Sequence, residues 1–443
     1  MKLHSIRAPR RSGRLRPISA VAVVTAASLL ALAGCGGSSS DDSEAGGTVN
    51  LTFFTIPVNS TPVIEKVVER FEETHPGIKV KVELGPNNVD TVRGTLATQI
   101  SSGSSTPDVY EGDVMWPAQF AEENLALNLS DHIDGDFFDT FQPALAAQGQ
   151  VDGNQYMTPW FTEAGYLYYR KDLLEEAGLP VPKTWEELAE TAAKIQASGK
   201  AKYGYVFQGA TTEELTCNWV EYLTDAGGQV VNDDYTEGTM NTPAGVKALS
   251  FMRSLIDTGV TPKAVTTFQS AESLSAFDAG DAVFMRNWGY AYAITQDKDS
   301  SDVVGKVGMA PLPTFEGSEG PGASVVGGGN LYINPNTDHL EESLEFLQWL
   351  GSDEAQKIMA TVGEVLPVTT AVADDPEIQQ VNEPMSVLPD LRLASRQVAT
   401  PKYPGITQAV YRAVNSALAG GTSIEEALAQ ADKEINSALQ GSL

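Results

Sequence analysis

Three short segments bring carboxylates, amides and large aromatic rings together. They are Tyr110-Glu111-Gly112-Asp113-Val114-Met115-Trp116, Pro159-Trp160-Phe161-Thr162-Glu163 and Arg286-Asn287-Trp288-Gly289-Tyr290. Two chemistries suit that company. A pair of carboxyl groups, one protonated and one ionised, can flank a glycosidic bond and hydrolyse it. Glu111, Asp113 and Glu163 are the candidates for such a pair. The same groups can instead accept hydrogen bonds from the hydroxyls of a neutral sugar, while an indole or phenol covers the weakly apolar C–H face of its ring. Trp160, Trp288 and Tyr290 are then the platforms. A lone tryptophan is as often a packing residue as a platform, but three segments of one character favour recognition. No spacing places two carboxylates across one bond.

Other chemistries find little support. The chain has no GxxxxGK[ST], HExxH or GxSxG motif. His75, His132 and His339, the three histidines beyond residue 34, sit singly in polar, turn-like settings, which argues against a histidine zinc site or triad. Gly327-Gly328-Gly329 lacks the strand–GxGxxG–helix context of a dinucleotide site and suits close backbone approach to a ligand or a crossing strand. No EF-hand-like loop occurs, and Asp299 to Asp302 reads as a solvated turn, so neither metal nor cofactor is expected.

The first residues fix the compartment. Six basic residues (Lys2, Arg7, Arg10, Arg11, Arg14, Arg16) precede the apolar stretch Ile18 to Leu32, whose fifteen residues are too few to span a bilayer comfortably. Leu32-Ala33-Gly34-Cys35 then resembles a bacterial lipoprotein signal. Residues 1–34 are read as the leader and Cys35 as the lipidated first mature residue. The expected location is the outer face of the cytoplasmic membrane. Residues 35–47 should form a flexible tether reaching roughly 20 Å. Removing the leader leaves 23 basic against 58 acidic residues, a formal charge of −35. That balance excludes a nucleic acid partner and repels an anionic membrane surface. With Cys35 acylated, Cys217 has no disulfide partner, and a chain this long needs more than one core.

Around these segments the pattern is mixed α/β. Val49 to Phe54 is β-prone, Thr61 to Thr74 carries apolar residues at helical spacing, and Ile78 to Leu84 alternates strictly. A helix over Val89 to Ser101 and a strand opening at Pro107 continue the order, and Phe137 to Ala147, Tyr169 to Ala177 and Trp185 to Ser198 follow as helices. Thr184 and Glu187 have capping-box spacing. Tyr203 to Phe207 and Ala282 to Met285 are expected strands. Val307 to Ala310 and Leu331 to Ile333 are short strands flanking a Gly-rich loop. The remaining expected helices are Thr212 to Asp225, Pro243 to Asp257, Ser270 to Ala279, His339 to Gly351, Asp353 to Val362, Pro404 to Ala419 and Ser423 to Leu439.

Several stretches together carry a family likeness. Phe71-Glu72-Glu73-Thr74-His75-Pro76-Gly77-Ile78-Lys79-Val80 forms an FExxxPGIKV turn. Pro107-Asp108-Val109 is followed by an acidic pair and Trp116. Pro159 to Leu174, with Pro182 to Leu188 after it, is the most recognisable block. Arg286-Asn287-Trp288-Gly289-Tyr290, Pro311-Leu312-Pro313, Gly327-Gly328 and Pro401-Lys402-Tyr403-Pro404 complete the set. Over residues 49–443 the chain resembles the carbohydrate-binding lipoproteins of bacterial ABC importers (extracellular solute-binding protein family 1), closest to the trehalose/maltose group.

That resemblance implies a two-lobed, type II periplasmic-binding-protein-like α/β fold with the ligand between the lobes. One lobe is expected from 48–157 and 306–368, the other from 158–305 and 369–443. It implies that Asp113, with Glu111 next to it, and Glu163 read sugar hydroxyls. It places Trp288 and Tyr290 at the family's NWxY aromatics, Arg396 at its arginine, and Gly327 and Gly328 at backbone contacts. The expected activity is capture of an α-linked glucose disaccharide such as trehalose or maltose by a monomer that docks on ABC permease subunits, without catalysis. A maltodextrin binder is the nearest alternative, and an exported glycoside hydrolase or an adhesion lipoprotein are alternatives of other classes.

Overall fold

The computed structural model describes residues 48–56, 61–396 and 400–441. The leader, Cys35 and the tether lie outside the described residues. Alternation in Ile78–Leu84 is realised as strand β2, parallel to β1 (Val49–Thr55), which is parallel in turn to β3 (Val109–Asp113). These strands belong to a nine-stranded mixed sheet with β4 (Thr158–Arg170), β5 (Tyr203–Val206), β6 (Ala282–Trp288), β7 (Val307–Ala310), β8 (Ala323–Ile333) and β9 (Arg392–Ala394). The order is β2-β1-β3-β8-β4-β6-β5, with β7 paired to β4 and β9 to β8.

Helix α1 (Thr61–Thr74) buries Val63, Ile64, Val67, Val68 and Phe71, the face its spacing dictates, beside Phe53, Phe346 and Leu347. The opposite face of the first strands is covered by Val92, Leu96 and Ile100 of α2 (Val89–Ser101) with Tyr110, Phe120 and Tyr332. The larger core lies in the other half, where Trp185, Trp219, Tyr222, Leu249, Met252, Val410 and Leu428 pack together. Thr184 and Glu187 form the capping box that their spacing predicts.

Two strands join the halves. Residues Thr158–Ala164 of β4 pair with β8, and Gly165–Tyr169 pair with β6. Residues Gly329–Ile333 of β8 continue onto β3. Three expectations change here. Tyr169 belongs to β4, and the helix after it starts only at Lys171. The run Phe137 to Ala147 holds two short helical turns, Gly135–Phe138 and Pro143–Ala146, instead of one helix. Gly327-Gly328-Gly329 is no loop: it lies inside β8, opposite Phe161, Thr162 and Glu163. Val307–Ala310 pairs with Leu167–Arg170, and β8 pairs with β4 along one part and with β3 along another.

Candidate functional site

The site gathers where β3, β4, β6 and β8 end or cross. Side chains on a strand alternate between faces, so Glu111 and Asp113 share one face of β3, Phe161 and Glu163 one face of β4, and Arg286 and Trp288 one face of β6. A cavity of about 640 Å³, open solvent at its mouth included, is bordered by Glu111, Asp113, Glu163, Trp288, Tyr290, Gly327, Gly328 and Arg396. Eight of the nine residues singled out from the sequence are therefore brought together. The ninth is not. Trp160 is fully buried, its ring edge-to-face with Phe53 at 5.5 Å, and its carbonyl accepts from Gln356. Trp160 is the extra residue at an irregularity of the β4–β8 pairing, where Gly329 lies opposite Phe161 and Asn330 opposite Pro159, and its ring packs into the core. Phe161 borders the cavity instead.

Each acid is held differently. Glu111 Oε2 accepts from the Thr55 hydroxyl at 2.5 Å and the Ile56 N–H at 2.9 Å. Burial still pushes its carboxyl up to about 7. Asp113 accepts from the Met115 N–H at 2.9 Å and forms an ion pair with Arg396 at 3.1 Å. Glu163 Oε2 accepts from the Gly289 N–H at 2.6 Å, while Oε1 is buried without a partner. Burial pushes this carboxyl up to about 8.

The sequence reading missed Glu213 and Glu214, on the first turn of helix α3 (Glu213–Asp225), which also border the cavity. Glu213 accepts from Arg396 Nη1 at 2.8 Å, from Thr407 at 2.5 Å and from the Tyr403 hydroxyl. Glu214 accepts from the Ser270 hydroxyl at 2.5 Å and its N–H at 3.0 Å, and burial pushes it up to about 7. Acids there read simply as partners of the helix dipole, so only the fold reveals them. Cys217, one turn further along the same helix, is a buried free thiol at the cavity wall.

The aromatic wall is built from behind. The Arg286 guanidinium lies 4.0 Å over the Trp288 ring and is fixed by Glu221 on Nε at 3.0 Å and on Nη2 at 2.5 Å. Gly165 makes room for this pair, since a Cβ there would sit 2.3 Å from Glu221 Oε1. Gly327 does the same for the indole, 2.8 Å from Trp288 Cζ3 to a Cβ. Gly328 (φ +124°) lets β8 approach the Phe161 carbonyl to a distance no side chain permits.

Carboxyls that keep protons near pH 7–8 in the fold, but only to about pH 4.3 when unfolded, make the folded state the better proton binder between those limits. Unfolding free energy then falls as pH rises from about 5 to 8. Ligand-free protein should melt at a higher temperature at pH 5.5 than at pH 8, and Glu163→Gln should flatten that slope. An identical slope in the variant would show that Glu163 does not titrate there.

The comparisons agree with this architecture. The profile of the bacterial extracellular solute-binding proteins matches residues 58–357. A probable ABC transporter-binding protein of Deinococcus radiodurans is 36% identical over 307 residues, 68% of this chain and 72% of that one. A mannitol-binding protein of Pseudomonas aeruginosa is 26% identical over 412 residues, covering 87% and 92%. The maltose-bound structure of T. maritima MalE3 superposes with a TM-score of 0.80 at 34% identity, covering 89% of this chain and 100% of that one. Fold and sequence thus agree over most of the chain: it has the two-lobed α/β fold of the periplasmic binding proteins and belongs to the bacterial extracellular solute-binding family.

Proposed function

We propose that this chain is the substrate-capturing subunit of a bacterial ABC importer. It closes on an α-linked glucose disaccharide such as maltose or trehalose and delivers it unaltered to permease subunits. Lipid on Cys35 keeps it at the outer face of the membrane. The observation that carries the reading is the convergence on one cavity of hydroxyl acceptors (Glu111, Asp113, Glu163) and ring surfaces (Trp288, Tyr290, Phe161). The similarity to a maltose-bound structure spans that whole chain.

In this account Trp288 stacks on one sugar ring, Phe161 takes the platform role expected of Trp160, and Glu163 Oε1 accepts a hydroxyl. Arg396 aims Asp113, and the glycines of β8 bring backbone close to the sugar. Hydroxyl recognition needs competing water excluded, which lobe closure provides. The sugar favours the closed form only by its extra affinity for it.

A second reading, an acyclic polyol, is favoured by the mannitol-binding relative. A polyol offers no rigid ring face, so the indole contributes less to it. Titration calorimetry against trehalose, maltose, sucrose, maltotriose and mannitol, with chromatography of the recovered sugar, separates the possibilities. Expected is a Kd in the micromolar range or tighter for an α-linked disaccharide that is recovered intact. Binding of mannitol alone would install the polyol reading. Released glucose would install a glycoside hydrolase. Silence across the panel would remove the sugar reading.

A further inference from the structure

The acids around the cavity outnumber its cations by more than hydroxyl recognition requires. Five carboxyl groups border it, against one guanidinium, Arg396. Arg396 is committed to Asp113 and Glu213. Arg286, behind the indole, is matched by Glu221. Glu111 and Glu214 receive neutral donors, the Thr55 hydroxyl and Ile56 N–H for one and the Ser270 hydroxyl and N–H for the other. Glu163 is met by the backbone N–H groups of Gly289 and Tyr290, and its Oε1 has no hydrogen-bond partner although the residue is only 4% exposed. Among the described residues, three cavity carboxyls thus form no salt bridge, although the Arg286 charge reaches Glu163 and Glu214. Ring surfaces of Trp288, Tyr290 and Phe161 border the same space, and such faces attract positive charge.

We infer that the site prefers a protonated amino sugar, an α-linked disaccharide carrying an ammonium in place of one hydroxyl, over the neutral parent of the same size. The inference rests on the disaccharide reading above and narrows its substrate class. An ammonium brings three donors and a full charge. At Glu163 Oε1 it makes charge-assisted hydrogen bonds, about twice as strong as neutral ones. It also takes the place of the proton that burial otherwise drives onto these carboxyls. A hydroxyl satisfies the oxygen but leaves the carboxyl holding its proton, without the charge-assisted bond. The formal charge of −29 on the whole chain adds a long-range field of the same sign.

The test titrates the whole protein at pH 7 with trehalose and maltose, with their mono-amino analogues at each ring position, and with the N-acetyl form of each analogue as a neutral control of greater bulk. Expected is at least one amino regioisomer binding tenfold or more tighter than its parent, an advantage that its N-acetyl form lacks and that added salt reduces. In Glu163→Gln the ratio of amino to neutral affinity should collapse toward one. A ratio unchanged in that variant overturns the assignment to Glu163. A parent that binds while every amino analogue binds no tighter overturns the preference and leaves the disaccharide reading standing. Failure of parents and analogues alike overturns both.

Discussion

Replacing Arg396 by methionine is expected to destabilise the protein by about 3–5 kcal/mol at pH 8 and to abolish sugar binding. The side chain is 1% exposed and pairs with Asp113 on β3 and Glu213 on α3, so its removal strands two acids in a poorly solvated place. A protonated carboxyl needs no counter-charge. Without the guanidinium, Glu213 holds its proton to higher pH in the fold, so the folded state gains protons relative to the unfolded one and stability falls more steeply as pH rises. The variant should therefore lie closer to the parent at pH 5.5 than at pH 8. Chemical denaturation at both pH values measures this. A loss below about 1 kcal/mol at pH 8, in the range of surface pairs, would show that the triad is solvated.

Replacing Trp288 by alanine is expected to weaken disaccharide binding by roughly 1–3 kcal/mol, the range found when an aromatic that stacks on a nucleic acid base is removed. That is about five- to 150-fold in Kd. The indole is half-buried and braced by Arg286 and by the closeness of Gly327. Its loss removes a stacking surface and exposes the guanidinium behind it to the cavity. Trp160→Ala serves as the contrasting variant: it empties a core position beside Phe53, and its cost of about 3–5 kcal/mol should appear in unfolding free energy. Equal affinity for sugar in parent and Trp288→Ala would return Trp288 to a packing role.

Much of the fold was legible where segments obey local rules. Ile78–Leu84 alternates, Thr61–Thr74 carries one apolar face, and Thr184 caps its helix through Glu187. The joining strands escaped for a physical reason. Most of β4 is buried on both faces, so it shows no alternation, and β8 contains three consecutive glycines, which read as a loop. The space their side chains would fill is taken by the Trp288 indole at Gly327, the Phe161 carbonyl at Gly328 and the Phe161 ring at Gly329.

The site followed the same division. Glu111, Asp113, Glu163, Trp288 and Tyr290 were recognisable as chemistry set among aromatics. Arg396, Gly327 and Gly328 were placed by family likeness. Trp160 was misplaced because residue type was weighed without the strand pairing, whose irregularity at this residue turns its ring into the core beside Phe53. Glu213 and Glu214 gave no distinguishing signal, since acids on a first helical turn are ordinary. Only Arg396, Thr407 and Ser270, brought from distant segments, reveal them as part of the cavity wall.

A crystal structure of the protein with its tightest-binding disaccharide is the most direct test of the central claim. The account predicts density for an intact α-linked disaccharide in this cavity, one ring lying on the Trp288 indole and a hydroxyl donating to Glu163 Oε1. Sugar seated elsewhere, or seated here with Glu163 Oε1 still unpartnered and the indole uncovered, would contradict it.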